Sequence, residues 1–358
     1  MIDLDPRDLQ QFWPRPSAPR PIVIFGAGSI VNDAHLPAYR NGAMPVAGIY
    51  DPDIGKARAL ADAWGIAAYG SLEEAAAVTN AVFDLATPPG QHAKVLAALP
   101  DRAFALIQKP MGSDLAQATE ILQLCRRKRI AAAINFQLRF APMSLALKDA
   151  VRKGYLGEVV DFDAWIALDT PWTLWPFLKG LPRIEIAMHS IHYLDLVREL
   201  LGDPAGVHAK SIGHPSHDVA QTRTSAILDY GTARRCSLSI NHDHRFGRKF
   251  QACEFRICGT EGAAYLKLGV NLDYPRGEPD ILQIYPKGGS DWIDVPLHGS
   301  WFPDAFMSRM ANLQRFAAGE DAALVSSVED AWHTMALVEA AYQSSAAPAT
   351  PLAAKPQD

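Results

Sequence analysis

The 358-residue sequence predicts an α/β protein of two domains. Short apolar runs alternate with Ala-rich helical segments from Pro21 to Asn135; that alternation stops near Arg139, and a succession of strand-like runs with almost no helix between them follows. The first rhythm implies a doubly wound parallel sheet. Its strands fall near Ile22–Phe25, Pro45–Tyr50, Ala81–Ala86, Phe104–Ile107 and Ile130–Ile134, and its helices near Ile54–Trp64, Ser71–Val78, Gln91–Leu99 and Leu115–Arg127. Beyond it come a helix at Met143–Lys153, a strand at Glu158–Ile166 and a helix from Ile184 to Leu201. Strands then follow at Val207–Ser211, Thr222–Tyr230, Arg234–Asn241, Phe250–Cys258, Gly262–Leu268 and Ile281–Tyr285. Consecutive strands without crossover helices build an α+β domain with a large, mostly antiparallel open sheet. Helical periodicity returns at Pro303–Ala318 and Val328–Ser344. The expected organisation is an N-terminal arm (1–20), a first domain (21–139), a second (140–345) and a loose tail (346–358).

Composition narrows the class of partner. Hydrophobic residues at 49% against 20% charged describe a packed globular chain. The formal charge is only -5, with Lys and Arg scattered, so neither a nucleic-acid stripe nor a polybasic membrane segment is expected. No apolar run approaches the ~18 residues of a membrane span. The first 20 residues lack the apolar stretch of a secretory leader. Cys125, Cys236, Cys253 and Cys258 form no CxxC pair and read as buried free thiols. A cytoplasmic protein with a small-molecule partner is the expectation.

The first strand runs into Gly26-Ala27-Gly28-Ser29-Ile30-Val31 and then a segment able to be helical through His35 to about Arg40. In such a turn the first Gly permits the bend and the second lets backbone approach a pyrophosphate. The helix start supplies unpaired N–H groups. Val31 stands where the strict fingerprint has Gly or Ala. Asp51 ends the second strand 25 residues after Gly26, near the ~20-residue spacing at which an acid meets the adenosine ribose. Its charge would repel a 2'-phosphate, so NAD is expected over NADP. Capping the helix at Ile54 is the competing role for Asp51, one that Asp53 could fill equally well. Loop, acid and alternation together imply a Rossmann dinucleotide-binding domain.

Hydride transfer from a secondary alcohol needs a base for the hydroxyl proton and a donor for the developing alkoxide. Gln108-Lys109-Pro110 follows the strand at Phe104–Ile107, which puts Lys109 at a carboxyl strand end, where open α/β sheets place ligands. Glu185, His189 and His192, at i, i+4 and i+7, share one face of their helix. An imidazole with a pKa near ~6.5 suits a general base, and a carboxylate one turn away can orient it. Satisfied core histidines are the alternative. A metal set of Glu185, His189 and His192 has suitable ligand chemistry but no HExxH or cysteine cluster, and none is expected.

In their order, these motifs resemble the glucose-fructose oxidoreductase, inositol dehydrogenase and MocA family (Gfo/Idh/MocA). They are Ile24-Phe25-Gly26-Ala27-Gly28, Ala86-Thr87-Pro88-Pro89 with His92, Gln108-Lys109-Pro110, Asn135 to Phe140, Gly157-Glu158-Val159, the helix with His189, and Gly259-Thr260-Glu261-Gly262. The resemblance spans residues 20 to 345. It implies an NAD(P)-dependent oxidoreductase acting on a secondary hydroxyl of a sugar, sugar derivative or cyclic polyol. Gly26, Gly28, Ser29, Ile30, Asp51, Thr87, Pro88, His92, Gln108 and Lys109 would hold the cofactor. Lys109 resembles the family lysine beside the reacting hydroxyl, His189 the proton acceptor, and Glu185 stands where Asp is typical. His192 and Gln108 also depart from the family pattern. Arg139 and the aromatics Trp172, Trp175 and Phe177 resemble a substrate wall, and His192, Asn241, His242 and His244 are further substrate candidates. The family habit implies a homodimer or homotetramer. A redox-neutral enzyme that retains NAD and works through a transient ketone, and a non-catalytic sugar or nucleotide sensor, are the rival functions.

Overall fold

A computed structural model describes residues 5–172, 178, 180–216, 219–273 and 276–353. The first sheet contains β1 (Ile22–Phe25), β2 (Val46–Tyr50), β3 (Ala67–Ala68), β4 (Val82–Leu85), β5 (Phe104–Ile107) and β6 (Ala131–Ile134), in the order β3-β2-β1-β4-β5-β6. Every pairing in it is parallel. β1, β4, β5 and β6 are almost wholly buried, as a sheet covered on both faces requires. Its helices are α1 (Leu36–Asn41), α2 (Ile54–Trp64), α3 (Leu72–Ala76), α4 (His92–Ala98) and α5 (Leu115–Lys128). Side chains in the sequence set several of their starts. Asp53, Ser71 and Asp114 each accept a main-chain N–H from the first turn of α2, α3 and α5. β3 escaped the sequence reading, because two alanines carry no strand signal.

The second part holds α6 (Pro142–Arg152), β7 (Val159–Ala167), a π turn at Glu185–Ser190 leading into α7 (Ile191–Leu201), β8 (Gly206–Ile212), β9 (Arg223–Asp229), β10 (Arg235–Asn241), β11 (Ala252–Gly259), β12 (Ala263–Lys267), β13 (Ile281–Tyr285) and β14 (Ile293–Asp294). The sheet order is β14-β13-β12-β11-β7-β10-β9-β8, and only β7 with β10 runs parallel. α8 (Asp304–Ala317) returns to pack on α1 and β5, and α9 (Val328–Ala346) spans α5, β6, α7 and β8. One apolar cluster therefore runs from the first sheet to the inner face of the second. The arm lies across this joint. Gln11 bonds Pro296 and His298, while Trp13 donates its indole N–H to Asp321. Three cysteines are buried and free as expected, but Cys258 is exposed on the outer face of β11. Among the described residues no helix is long and apolar enough to cross a membrane.

Arg139 belongs to this framework rather than to a substrate wall. Its guanidinium is buried, forks onto both oxygens of Asp195 at 2.5 and 2.6 Å, reaches Glu199 at 2.6 Å and lies 2.9 Å from Asp330. A 3-10 turn (Gln137–Phe140) carries it from the end of β6 onto α7 and α9, where acids from distant parts of the chain capture it. Such a network loses more from removal of one partner than it contributes as a whole, because charges are left buried and unpaired. Arg139→Met is expected to lower unfolding stability by about 3–5 kcal/mol in denaturant titration. A loss under ~1 kcal/mol, with ligand binding abolished, would return Arg139 to the site.

Candidate functional site

A cleft of about 2010 Å³ opens along the carboxyl edge of the first sheet and is closed from the other side by α7, the end of β7 and the end of β10. On the first-sheet side it is lined by Gly26, Gly28, Ser29, Ile30, Asp51, Thr87, Pro88, Gln108 and Lys109. Lys94 and Asp114 line it further out. On the facing side stand Thr170, Met188, His189, His192 and His242. The first-sheet residues lie at the C-terminal ends of β1, β2, β4 and β5, beside the point between β1 and β4 where the strand order of the doubly wound sheet reverses.

The two loop glycines have different reasons to be there. A Cβ on Gly26, whose φ is +106°, would sit 2.4 Å from the Ala86 carbonyl oxygen, so the fold itself demands glycine. A Cβ on Gly28 would meet no protein atom within 4 Å, so the space it leaves open belongs to the cleft. That is the cradle a dinucleotide phosphate needs, and the residues present fit the group. The Asp51 carboxylate accepts from Ala27 N and Asp53 N, each at 2.8 Å, fixing the loop to the end of β2. The cap of α2 falls to Asp53, which settles the competition between the two acids. Behind the loop, His35 and Tyr39 both bond Asp84, at 2.7 and 2.6 Å, and pin the first helix to β4. That helix starts as a π turn (Val31–His35), not the α-helix expected from the sequence.

His92 stands apart from the cofactor set. It is buried, is absent from the cleft wall, and donates Nε2–H to the Thr87 carbonyl at 3.0 Å; burial holds its pKa down to about 4. Its task is to brace the Thr87-Pro88 turn.

Lys109 projects from the end of β5, and its ammonium donates to the Met188 carbonyl in the π turn at 2.7 Å. Burial pushes its pKa down to about 8. His189 lies in the same turn. Burial, then His242, Lys109 and His192, hold its pKa well below the imidazole range, and burial with Lys109 does the same for His192. Both rings are therefore neutral near pH 7 and able to accept a proton. His192 stands edge-on between Phe136 and Trp301.

Glu185 departs from expectation. A π turn adds a residue per turn, so the i, i+4 alignment with His189 is lost. The carboxylate points inward, accepts the hydroxyls of Ser190 and Thr224, and lies 3.4 Å from His242 Nε2. Trp172 packs edge-on against His189 and His242, at 5.3 and 5.9 Å between ring centres, bracing them rather than lining the cleft. Trp175 and Phe177 lie outside the described residues. Asn241 faces the other way: strand alternation sends it opposite His242, and its side-chain oxygen accepts Asp243 N. Thr170 and the Met188 carbonyl, both central to the geometry, carried no sequence signal. Among the described residues no three His, Cys, Asp or Glu side chains gather to hold a metal.

Residues 20–136 match the GFO_IDH_MocA oxidoreductase family, NAD-binding Rossmann fold, and residues 144–265 match the GFO/IDH/MocA C-terminal domain. D-apiose dehydrogenase of Paraburkholderia graminis is 25% identical over 90% of this chain and 86% of its own. Trans-1,2-dihydrobenzene-1,2-diol dehydrogenase of Mus musculus is 31% identical over 61% of this chain and 68% of its own. In fold, the chain is similar to an oxidoreductase from Agrobacterium radiobacter solved with NAD+, L-tartaric acid and magnesium, with a TM-score of 0.77, 22% identity, and coverage of 92% of this chain and 97% of that one.

The two glycines give a paired test. Gly26→Ala is expected to destabilise the unliganded protein measurably in thermal melting. Gly28→Val is expected to leave melting nearly unchanged while weakening NAD binding at least tenfold by calorimetry; unaltered NAD affinity would place the dinucleotide elsewhere.

Proposed function

Because the chain belongs to the Gfo/Idh/MocA oxidoreductase family, we propose that it oxidises, or in reverse reduces, a secondary hydroxyl of a sugar, sugar derivative or cyclic polyol, with NAD preferred to NADP. The observation that carries this reading is the meeting of Lys109, from the end of β5, and His189, from the π turn before α7, across the cleft, joined through the Met188 carbonyl. When bound, the nicotinamide supplies the hydride acceptor. The residues around Gly26, Gly28, Ser29, Ile30, Thr87, Pro88 and Gln108 would hold the dinucleotide, and Asp51 would offer carboxylate oxygens to ribose hydroxyls and repel a 2'-phosphate.

Lys109 places its ammonium beside the reacting hydroxyl and stabilises the oxygen as negative charge develops. His189, kept neutral by burial and by the nearby Lys109 charge, accepts the hydroxyl proton. In the reducing direction the same two groups return the proton. His192 bounds the substrate end, wedged between Phe136 and Trp301. Glu185 acts at one remove, through His242. Residues 21–139 supply the cofactor half, and residues 140–345 the substrate half.

The outer face of the second sheet presents Trp165 and Ile227, each more than half exposed. Burying such a patch is favourable at about 25 cal/mol per Å² of apolar surface, which supports pairing into a dimer or tetramer. Light scattering should report at least twice the 39.0 kDa chain mass, and Trp165→Glu should shift it toward monomer.

The direct test is NADH absorbance with NAD and a panel of pyranoses, inositols, uronic acids and glycosides. Activity that Lys109→Ala lowers on the order of 10²-fold or more supports the assignment; no NADH from any compound, with NAD bound, refutes it. In the oxidising direction kcat/KM should fall as pH rises through about 8, where Lys109 loses its proton, and Lys109→Arg, protonated throughout, should shift that limb upward. A profile flat to pH 10 would remove the charged lysine from the mechanism.

A further inference from the structure

On the substrate side of the cleft a carboxylate, an imidazole and a hydroxyl run in series from the interior to the cavity. Glu185 is wholly buried and receives the hydroxyls of Ser190 and Thr224. Its Oε1 lies 3.4 Å from Nε2 of His242, and Nδ1 of His242 lies 2.9 Å from Oγ1 of Thr170. Thr170 N also donates to the His242 carbonyl at 3.3 Å, so the two loops are tied through main chain and side chain alike. His242 is 2% exposed, and both it and Thr170 border the cavity beside His189, whose ring centre is 4.8 Å from that of His242.

The order of the groups sets which His242 nitrogen carries the proton, and with it the direction of the Thr170 hydrogen bond. A carboxylate only accepts, so the imidazole proton belongs on Nε2, which makes no hydrogen bond among the described residues but faces the Glu185 carboxylate at 3.4 Å. Nδ1 then accepts, and Thr170 gives it the one proton its hydroxyl has. What Thr170 Oγ1 retains for any further partner is a lone pair. We propose that Glu185, His242 and Thr170 form a donor-reading subsite, in which Thr170 Oγ1 accepts a hydrogen bond from a substrate hydroxyl near the one that reacts at Lys109 and His189. This rests on the polyol dehydrogenase reading above. Thr170 touches substrate and sets specificity; His242 and Glu185 are positioning residues that keep its hydroxyl from acting as a donor. A site built in this way rejects an analogue that lacks the donor, because the half-buried acceptor, covered by the bound analogue, is left unpaired.

The probes are myo-inositol, D-glucose and methyl β-D-glucopyranoside, with their monodeoxy and monodeoxyfluoro derivatives. Binding to the NADH-loaded protein is measured by calorimetry, and turnover with NAD by absorbance. At one position, loss of the hydroxyl should weaken binding about tenfold, appearing in KM more than in kcat. Fluorine at that position should not restore affinity, since C–F cannot donate. Thr170→Val should cost about tenfold on the parent polyol and nothing more on that analogue, and Thr170→Ser should preserve the discrimination. Glu185→Gln, whose amide can donate to Nε2 and move the imidazole proton to Nδ1, should free the Thr170 hydroxyl to donate and make the fluoro analogue tolerated.

Fluorine restoring affinity in the unaltered protein, or Thr170→Val weakening the parent and every analogue equally, would overturn the subsite. NADH formation without any position-specific penalty sinks the subsite alone. The predicted binding pattern without NADH formation keeps the subsite and sinks the dehydrogenase reading. Failure of every probe to bind sinks both.

Discussion

The bond from the Lys109 ammonium to the Met188 carbonyl is the constraint around which the site is arranged. It takes a cation from the end of β5, in the first sheet, and seats it on main chain belonging to the second part. A carbonyl satisfies a proton of the ammonium without neutralising its charge, and no ion-pair partner for Lys109 is present among the described residues. Burial is then felt directly as a pKa pushed down to about 8. That charge in turn helps to keep His189 and His192 neutral. The bond depends on the π turn at Glu185–Ser190, which carries both Met188 and His189. Functional chemistry at a π turn in an otherwise regular helix is a recurring use of that irregularity.

Buried polar groups hold that geometry in place. Arg139 ties the end of β6 to α7 and α9 through Asp195, Glu199 and Asp330; His35 and Tyr39 clasp Asp84 under the dinucleotide loop; His92 braces the turn after β4. Each lies behind a cleft-lining segment rather than in it. A cleft that must present the same few atoms to a cofactor and a substrate needs such supports, since an error of about 1 Å in placement is costly to catalysis. The arm adds a further tie by bonding through Gln11 to the loop after β14 and through Trp13 to the segment after α8.

The alternation of short strands and helices was legible because periodicity and caps are local. Asp53, Ser71 and Asp114 cap α2, α3 and α5 close to where the sequence starts each helix, and most strands fall within a residue or two of their expected ends. β3 and β14 were not legible, since each is two residues long and exists only because a neighbouring strand offers it a ladder. The two π turns were read as ordinary helix for a similar reason: their extra residue is accommodated by packing, not announced by residue type.

By itself the sequence determined the family, the two sheets, the glycine loop with Asp51, and the presence of Lys109 and His189 at the cleft, because each is carried by a short run of residues whose chemistry is local. Only the tertiary structure decided what the remaining polar residues do. Arg139 left the substrate wall because acids more than fifty positions away surround it. Asn241 and His242 parted because a strand alternates its faces. Glu185 turned inward because Thr224 and Ser190 offered its carboxylate hydroxyls there. A buried charged or polar group goes where its partners are, and partners brought from distant strands cannot be read from the residues beside it.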